Sequence, residues 1–507
     1  MKRFILLLLS LALMGPAAAR TPNVIFILTD DQGYGDLSAH GNPVLKTPNL
    51  DRLRGESVRF TNFYVSPTCA PTRSALLTGR HEFRNGVTHT ILERERLALS
   101  AITLPQLLKT AGYTTGIFGK WHLGDEPDYQ PGRRGFDEVF IHGGGGIGQT
   151  YPGSCGDAPG NTYFDPAILH NGRFEKTKGF CTDVFFNQAI DWIGSRKDSG
   201  PFFCWVATNA PHSPYTAKPE DRARYAGKGL GADTENFFGM IHNIDENTGR
   251  LLAKLDEWNL ARDTLVVMMN DNGGTAGVKV FNAGMRAAKV TPWLGGTRAF
   301  SFWRWPATFR PADCPALTAH VDILRTITGL AGVTLPPAAE AQAEGRDLRP
   351  LLENPAAPWP DRTLVTHTGR WPKGAAPESA KYRNAAIRDT RYTLVSERGG
   401  HQPAWQLFDV QADPGQTRDL APEFPAEVRR LADAYEAWWK SVQPQLINES
   451  AVLPSLNPFK ELYWKQFALT PTPKDLEMMD PARLPALNGT PLRADPKPSK
   501  ELDFRKK

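Results

Sequence analysis

Residues 23–28 read NVIFIL, an unbroken apolar run that stops abruptly at Thr29-Asp30-Asp31. A strand with one wetted face alternates apolar and polar residues, whereas a strand covered on both faces does not. The run is therefore predicted as a central strand of a parallel sheet. Runs of the same kind recur at residues 58–65, 114–118, 202–207 and 264–269. Helical patterns lie between them. Residues 102–111 carry Pro105 in the first turn and Gly112 just past the end, the usual asymmetry of helix ends. Residues 183–193 are amphipathic. Residues 234–258 place Met240, Ile244, Leu251, Leu252 and Leu255 at helical spacing. The alternation predicts an α/β fold with a large doubly wound, mostly parallel sheet flanked by helices. Sites in such sheets form beyond the carboxyl ends of strands, where Asp30-Asp31, Lys120, the segment after Ala207 and Asp271 all fall.

Composition shifts near Leu335, where Pro336-Pro337-Ala338-Ala339 opens a linker-like stretch. Strand-like pieces follow at 384–387, 391–396 and 405–409, then a helical stretch at 425–439. They predict a smaller C-terminal α+β subdomain with an antiparallel sheet. The expected organisation is a signal peptide over 1–19, a catalytic domain over 20–335, the α+β subdomain over 336–460, and a wrapping or disordered tail over 461–507, which is rich in proline and charge. The signal reading rests on Lys2-Arg3, the short apolar run 4–14 and the small residues Pro16-Ala17-Ala18-Ala19. It predicts an exported protein, periplasmic or secreted. That run is too short to span a bilayer, and no later stretch is apolar enough to do so.

The formal net charge is +5 and falls by two without Lys2 and Arg3. So small an imbalance, with aromatics scattered rather than interleaved with basic runs, gives no basis for a nucleic-acid partner. Of the five cysteines, Cys204 lies in a buried-strand pattern and reads as a small core residue. Cys155 and Cys181, both assigned to a Gly-rich loop region, are candidates for a disulfide. An odd count leaves one cysteine over.

Several segments carry chemistry. Asp30 and Asp31 repel one another, and in a closed site they call for a cation. Asp271-Asn272-Gly273-Gly274 ends the run TLVVMMN and adds a carboxylate and an amide oxygen on the same sheet edge. Hard oxygen donors suit calcium or magnesium, and the lack of a thiolate or imidazole in either pair points away from zinc. Lys120 and His122 stand two apart, and in an extended segment they face the same way. A cation beside a titratable imidazole suits an anionic ester. His212 sits between Pro211 and Pro214, and Lys289 is a further cation.

The segment Cys69-Ala70-Pro71-Thr72-Arg73-Ser74-Ala75-Leu76-Leu77-Thr78-Gly79-Arg80 resembles the modification signal of the type I sulfatases of the alkaline-phosphatase superfamily. With the segments above, in order over residues 22 to about 335, the chain is identified as similar to that arylsulfatase-like family. The resemblance implies hydrolysis of sulfate esters, on a sulfated carbohydrate or an aryl sulfate. It implies that Cys69 becomes formylglycine through a host maturase, and that the hydrated aldehyde attacks sulfur. Asp30, Asp31, Asp271 and Asn272, completed by the modified Cys69, are the implied ligands of Ca2+, with Mg2+ as the alternative. Arg73 is implied to hold the formylglycine, Lys120 and Lys289 to bind sulfate, and His122 and His212 to act as acid and base. Cys69 is also expected to open a helix, whose N-terminus adds partial positive charge. One departure is that an acidic position common in the family corresponds here to Leu294.

His89, His367, Arg370 and Trp371 are candidate substrate contacts at the rim, as is the Gly143–Gly146 loop leading to Gln149 and Tyr151. Two alternatives stand beside the sulfatase reading. One is a phosphoester or phosphonate monoester hydrolase of the same superfamily. The other is an unmodified carbohydrate-binding relative.

Overall fold

The computed structural model describes residues 21–452 and 454–483. The signal-peptide assignment and residues 484–507 of the assigned tail lie outside the described residues. A ten-stranded sheet runs, edge to edge, through Ala312–Cys314, Val58–Phe60, Ser301–Arg304, Thr264–Asn270, Asn23–Thr29, Phe202–Ala207, Thr114–Lys120, Glu138–His142, Ala167–His170 and Arg173–Lys176. The five strands from Thr264–Asn270 to Glu138–His142 are all parallel. Antiparallel pairings flank them on both sides.

The apolar run 23–28 sits at the middle of this array, between Thr264–Asn270 and Phe202–Ala207. Its side chains alternate between two cores. Val24, Phe26 and Leu28 join the cluster on one face and Ile25 and Ile27 the cluster on the other, each with no exposed surface. This is why the run shows no polar alternation. Phe26 stacks on Trp205 of the neighbouring strand with ring centroids 4.5 Å apart. Helices Cys181–Gly194 and Ala232–Glu257 pack together over one face.

The run 58–65 is not one strand. Val58–Phe60 belongs to the large sheet, and Phe63–Tyr64 to a separate three-stranded sheet with Arg298–Ala299 and Thr318–Ala319. Thr61 and Asn62 carry the chain across, their backbones bonded to Cys314 and Thr318. Both halves are covered, so hydrophobicity does not register the change of sheet.

Leu364–His367, Arg383–Arg388, Tyr392–Arg398 and Gln406–Asp409 form an antiparallel meander. Helix Pro425–Val442 buries Leu431, Tyr435, Trp439 and Val442 in the core shared with it. Trp293, placed against Phe408 at 5.4 Å, ties this meander to the large sheet's side of the molecule. Helix Pro458–Gln466 straddles the boundary assigned between the subdomain and the tail, and buries Phe459, Tyr463 and Trp464 in the main core.

All five cysteines are free thiols, which corrects the candidate Cys155–Cys181 disulfide. Cys181 is not in a loop but opens a helix, with its Sγ 3.5 Å from the Asn209 side-chain oxygen. Cys155 instead accepts the Gly124 N–H at 3.2 Å. Each thiol has a separate polar partner on a different part of the sheet edge. Cys204 is a buried core residue, as its strand pattern implies.

Candidate active site

Three parallel strands deliver their carboxyl ends to one place. Asn23–Thr29 is followed by Asp30 and Asp31, Thr264–Asn270 by Asp271 and Asn272, and Thr114–Lys120 ends on Lys120 itself. The helix Cys69–Thr78 starts at the same spot and stops at Gly79, which takes a left-handed conformation. Cys69 is its first residue and Arg73 lies one turn on. Every one of these side chains is buried.

The charges interlock. Arg73 donates to Asp271 Oδ2 through Nη2 at 2.9 Å and Nε at 3.2 Å, and to the Lys120 carbonyl at 3.2 Å. Lys120 Nζ pairs with Asp30, and Lys289 Nζ with Asp31. The Asp31 N–H donates to Asp271 Oδ1 at 3.2 Å, and Asn272 Nδ2 to Asp31 Oδ1 at 2.9 Å. Burial raises Asp30, and burial with the neighbouring Asp30 pushes Asp271 up to about 6, against the pull of Lys120 and Arg73. Burial acts on Asp31 too, but Lys289, His212 and Asn272 outweigh it and hold that carboxyl well below the usual range.

Two oxygens in this set have no partner although both are buried, Asp30 Oδ1 and Asn272 Oδ1. The Asn272 amide nitrogen is fully used on Asp31 and the Gly273 carbonyl, which leaves its oxygen free to accept. Unpartnered buried oxygens beside three carboxylates fit a hard divalent cation. One ligand atom each from Asp30, Asp31 and His212 lies within 4.8 Å of the others. His212 has its Nδ1 engaged by the Ser213 carbonyl at 2.7 Å, and its Nε2 stands 3.8 Å from Asp31.

His122 is held differently from the extended segment expected. Its φ is +62°, so the chain turns after Lys120 and the two side chains part. Lys120 reaches Asp30, while His122 Nδ1 lies 3.5 Å from Cys69 Sγ. His122 Nε2 is 3.0 Å from the Thr90 carbonyl. A carbonyl can only accept, so Nε2 carries the proton and Nδ1 faces residue 69 with a lone pair. Burial, then Lys120 and Arg73, push this imidazole well below its ordinary pKa and keep it neutral. Burial, then Lys289 and Lys120, push His212 down to about 3 despite Asp31. The glycine loop packs on both rings. A Cβ on Gly145 would stand 3.0 Å from His122 Cε1, and one on Gly146 2.7 Å from His212 Nδ1.

The rim candidates separate. Arg370, with a left-handed φ of +61°, donates to Thr90 Oγ1 at 2.9 Å, and burial pulls its guanidinium down from the ordinary value. His89 turns inward and accepts the N–H groups of Thr90 and Ile91 through Nδ1. His367 and Trp371 belong to the aromatic core under the meander, 1% and 2% exposed. His367 stacks on Trp439, and Trp371 Nε1 donates to Glu449. Neither presents a free ring face to a ligand. Leu294 is buried with Tyr64, Met285 and Leu317, and its N–H donates to Gln416. That corner is apolar where the family often has an acid. Sequence patterns did not single out Thr90 or Gln416, because both act from loops, Thr90 through its backbone carbonyl.

Residues 22–333 match the family model described as Sulfatase. The chain is 30% identical to arylsulfatase A of Homo sapiens over 458 residues, covering 82% of this chain and 86% of that protein. It is 33% identical to N-acetylgalactosamine-6-sulfatase of Homo sapiens over 368 residues, covering 67% of each. A solved structure described as Ps i-CgsB in complex with k-i-k-neocarrahexaose superimposes with a TM-score of 0.74 at 26% identity, covering 91% of this chain and all of that one. With the sheet-edge site in place and the family model spanning most of the chain, the protein belongs to the type I, arylsulfatase-like sulfatase family and is a sulfuric ester hydrolase.

Proposed function

We propose that this sulfatase acts on a sulfated carbohydrate, through a formylglycine made from Cys69 and a calcium ion held by Asp30, Asp31, Asp271 and Asn272. The observation that carries the reading is Cys69 at a buried helix N-terminus, with an unprotonated His122 nitrogen 3.5 Å from its Sγ and unpartnered Asp30 and Asn272 oxygens in the same site. When present, the formylglycine supplies the nucleophile and the ion supplies positive charge toward the sulfate oxygens.

The chain's own groups do the rest. Lys120 and Lys289 exchange part of their pairing with Asp30 and Asp31 for the sulfate oxygens, and so neutralise charge that grows during S–O cleavage. Arg73, anchored on Asp271 and the Lys120 carbonyl, fixes the first turn of the helix and with it residue 69. His122 Nδ1 takes a proton from the side chain at position 69. His212 gives a proton to the departing oxygen through Nε2. Burial and then two lysines depress His212, and a bound anion offsets the lysines and so raises its pKa. Arg370, fixed on Thr90 above the site, is a contact for sugar hydroxyls or acid groups.

The carbohydrate reading is supported by the neocarrahexaose complex of the structural relative and by the similarity to N-acetylgalactosamine-6-sulfatase. Residues 1–19 are proposed as an export leader, and a maturase as the partner that modifies Cys69. Peptide mass spectrometry across residue 69 of protein from its own host tests the nucleophile, and turnover of matched sulfate and phosphate esters tests the bond. A formylglycine with sulfate turnover far above phosphate is expected. An intact thiol, or preference for the phosphate ester, would overturn the proposal.

A further inference from the structure

A second cluster of ligand-type side chains lies on helix Ala232–Glu257, away from the sheet edge. His242 and Glu246 are four apart on it and so share a face. Gly239, three residues before His242, is where the short helix Pro219–Ala223 crosses. A Cβ at Gly239 would stand 2.8 Å from Ala217 Cβ and 3.0 Å from the Arg222 backbone nitrogen. The missing side chain thus lets the short helix approach, and that approach sets Asp221 beside His242.

One ligand atom from each of Asp221, His242 and Glu246 lies within 4.8 Å of the other two. Asp221 is 1% and His242 8% exposed, yet Asp221 Oδ2 and His242 Nδ1 have no hydrogen-bond partner. Glu246, 3.1 Å from His242 Nε2, has a side chain 41% exposed and gives the cluster a path to solvent. Lys218 and Arg224 approach the two carboxylates, each at 3.6 Å. Lys218 also has Asp183 at 3.4 Å, so its charge has a partner other than Asp221.

We infer that Asp221, His242 and Glu246 form a binding site for a divalent transition metal of the zinc class. One imidazole and two carboxylates, with the remaining position open to water, match the donors such ions take, whereas calcium disfavours the imidazole. A bound ion gives the unpartnered Asp221 oxygen a partner, and His242 offers it a ring nitrogen beside Glu246. The site is a structural clip. It joins the long helix to the segment that leaves the His212 loop, and it takes no part in the reaction at Cys69.

The test uses the full-length protein, stripped of metal, saturated with calcium to fill the sheet-edge site, and titrated with zinc by calorimetry. Bound zinc is counted by elemental analysis and thermal melts are run in parallel. Wild type is expected to bind one zinc per chain and to melt higher with zinc. His242→Gln and the partly exposed Glu246→Gln are expected to bind zinc at least about tenfold more weakly. Both are expected to fold and to keep calcium-dependent turnover. No zinc bound by calcium-saturated wild type, or equal binding in folded Glu246→Gln and His242→Gln, would overturn the assignment.

Discussion

Gly144, Gly145 and Gly146 form a graded probe of how tightly the two imidazoles are held. None has a left-handed φ, so alanine is acceptable to the backbone at each. The difference lies in what the new methyl meets. At Gly144 the nearest atom is a carbonyl oxygen at 3.3 Å, at Gly145 it is His122 Cε1 at 3.0 Å, and at Gly146 it is His212 Nδ1 at 2.7 Å. The last falls about 0.7 Å short of the 3.4 Å at which ordinary contact begins. His212 cannot swing away freely, because Nδ1 is tied to the Ser213 carbonyl and prolines flank the segment on both sides. Overpacking of this kind costs about 1–3 kcal/mol. A catalytic group displaced by most of an ångström loses about 10²-fold in rate, or about 2.7 kcal/mol of transition-state stabilisation. Gly146→Ala is therefore expected to lower kcat/KM on an aryl sulfate by about 10²-fold while the melting temperature moves by no more than about 4 °C. Gly145→Ala should lose less and Gly144→Ala least. Steady-state kinetics with a melt on each variant decides the matter. A folded Gly146→Ala enzyme with wild-type kcat/KM would show that the loop does not hold His212 during turnover.

Four further outcomes are expected. Cys69→Ala should fold normally and lose at least about 10³-fold in turnover, measured beside a far-UV spectrum. Chelation by EGTA should abolish activity, and added calcium should restore it better than magnesium, read by ester turnover. Trp371→Ala should destabilise by about 3–5 kcal/mol in a urea titration, since it opens the aromatic core and removes one donor to Glu449, whereas Arg370→Ala should leave stability nearly intact and raise KM for a sulfated sugar. Burial pushes Glu95 up to about 7, with one carboxylate oxygen lacking a partner. A raised carboxyl destabilises the fold increasingly as pH climbs from the unfolded pKa near 4.3 to the folded value, by about 4 kcal/mol at the plateau. Glu95→Gln, which keeps an oxygen for the Cys155 N–H, should raise the melting temperature more at pH 8 than at pH 5. Equal gains at both would refute the assignment.

The sheet and the site were legible for the same reason. A strand buried on both faces must be apolar throughout, and where it ends, any polar residue is conspicuous. Asp30-Asp31, Lys120 and Asp271-Asn272 stand out against the runs before them, and a parallel sheet sends those ends to one edge. Cys69 and Arg73 stood out through dense local pattern, and a ten-residue helix converts that pattern into position. What failed to show was whatever depends on contacts across the chain. The His-x-x-Arg-Trp segment has the chemistry of a sugar site, yet only Arg370 turns out of the aromatic core, toward Thr90, because Gly369 and Arg370 both take left-handed conformations that part it from its neighbours. His367 and Trp371 use the same rings to fill a core, and an indole on carbohydrate and an indole on tryptophan are the same residue in a sequence. Lys120 and His122 appear as an extended pair, but the left-handed His122 sends one toward a carboxylate and the other toward Cys69. The tautomer that leaves His122 Nδ1 unprotonated is set by the Thr90 backbone carbonyl, which any residue there would supply. The chain therefore displays which groups gather at the sheet edge, while the backbone turns that aim them stay hidden until it folds.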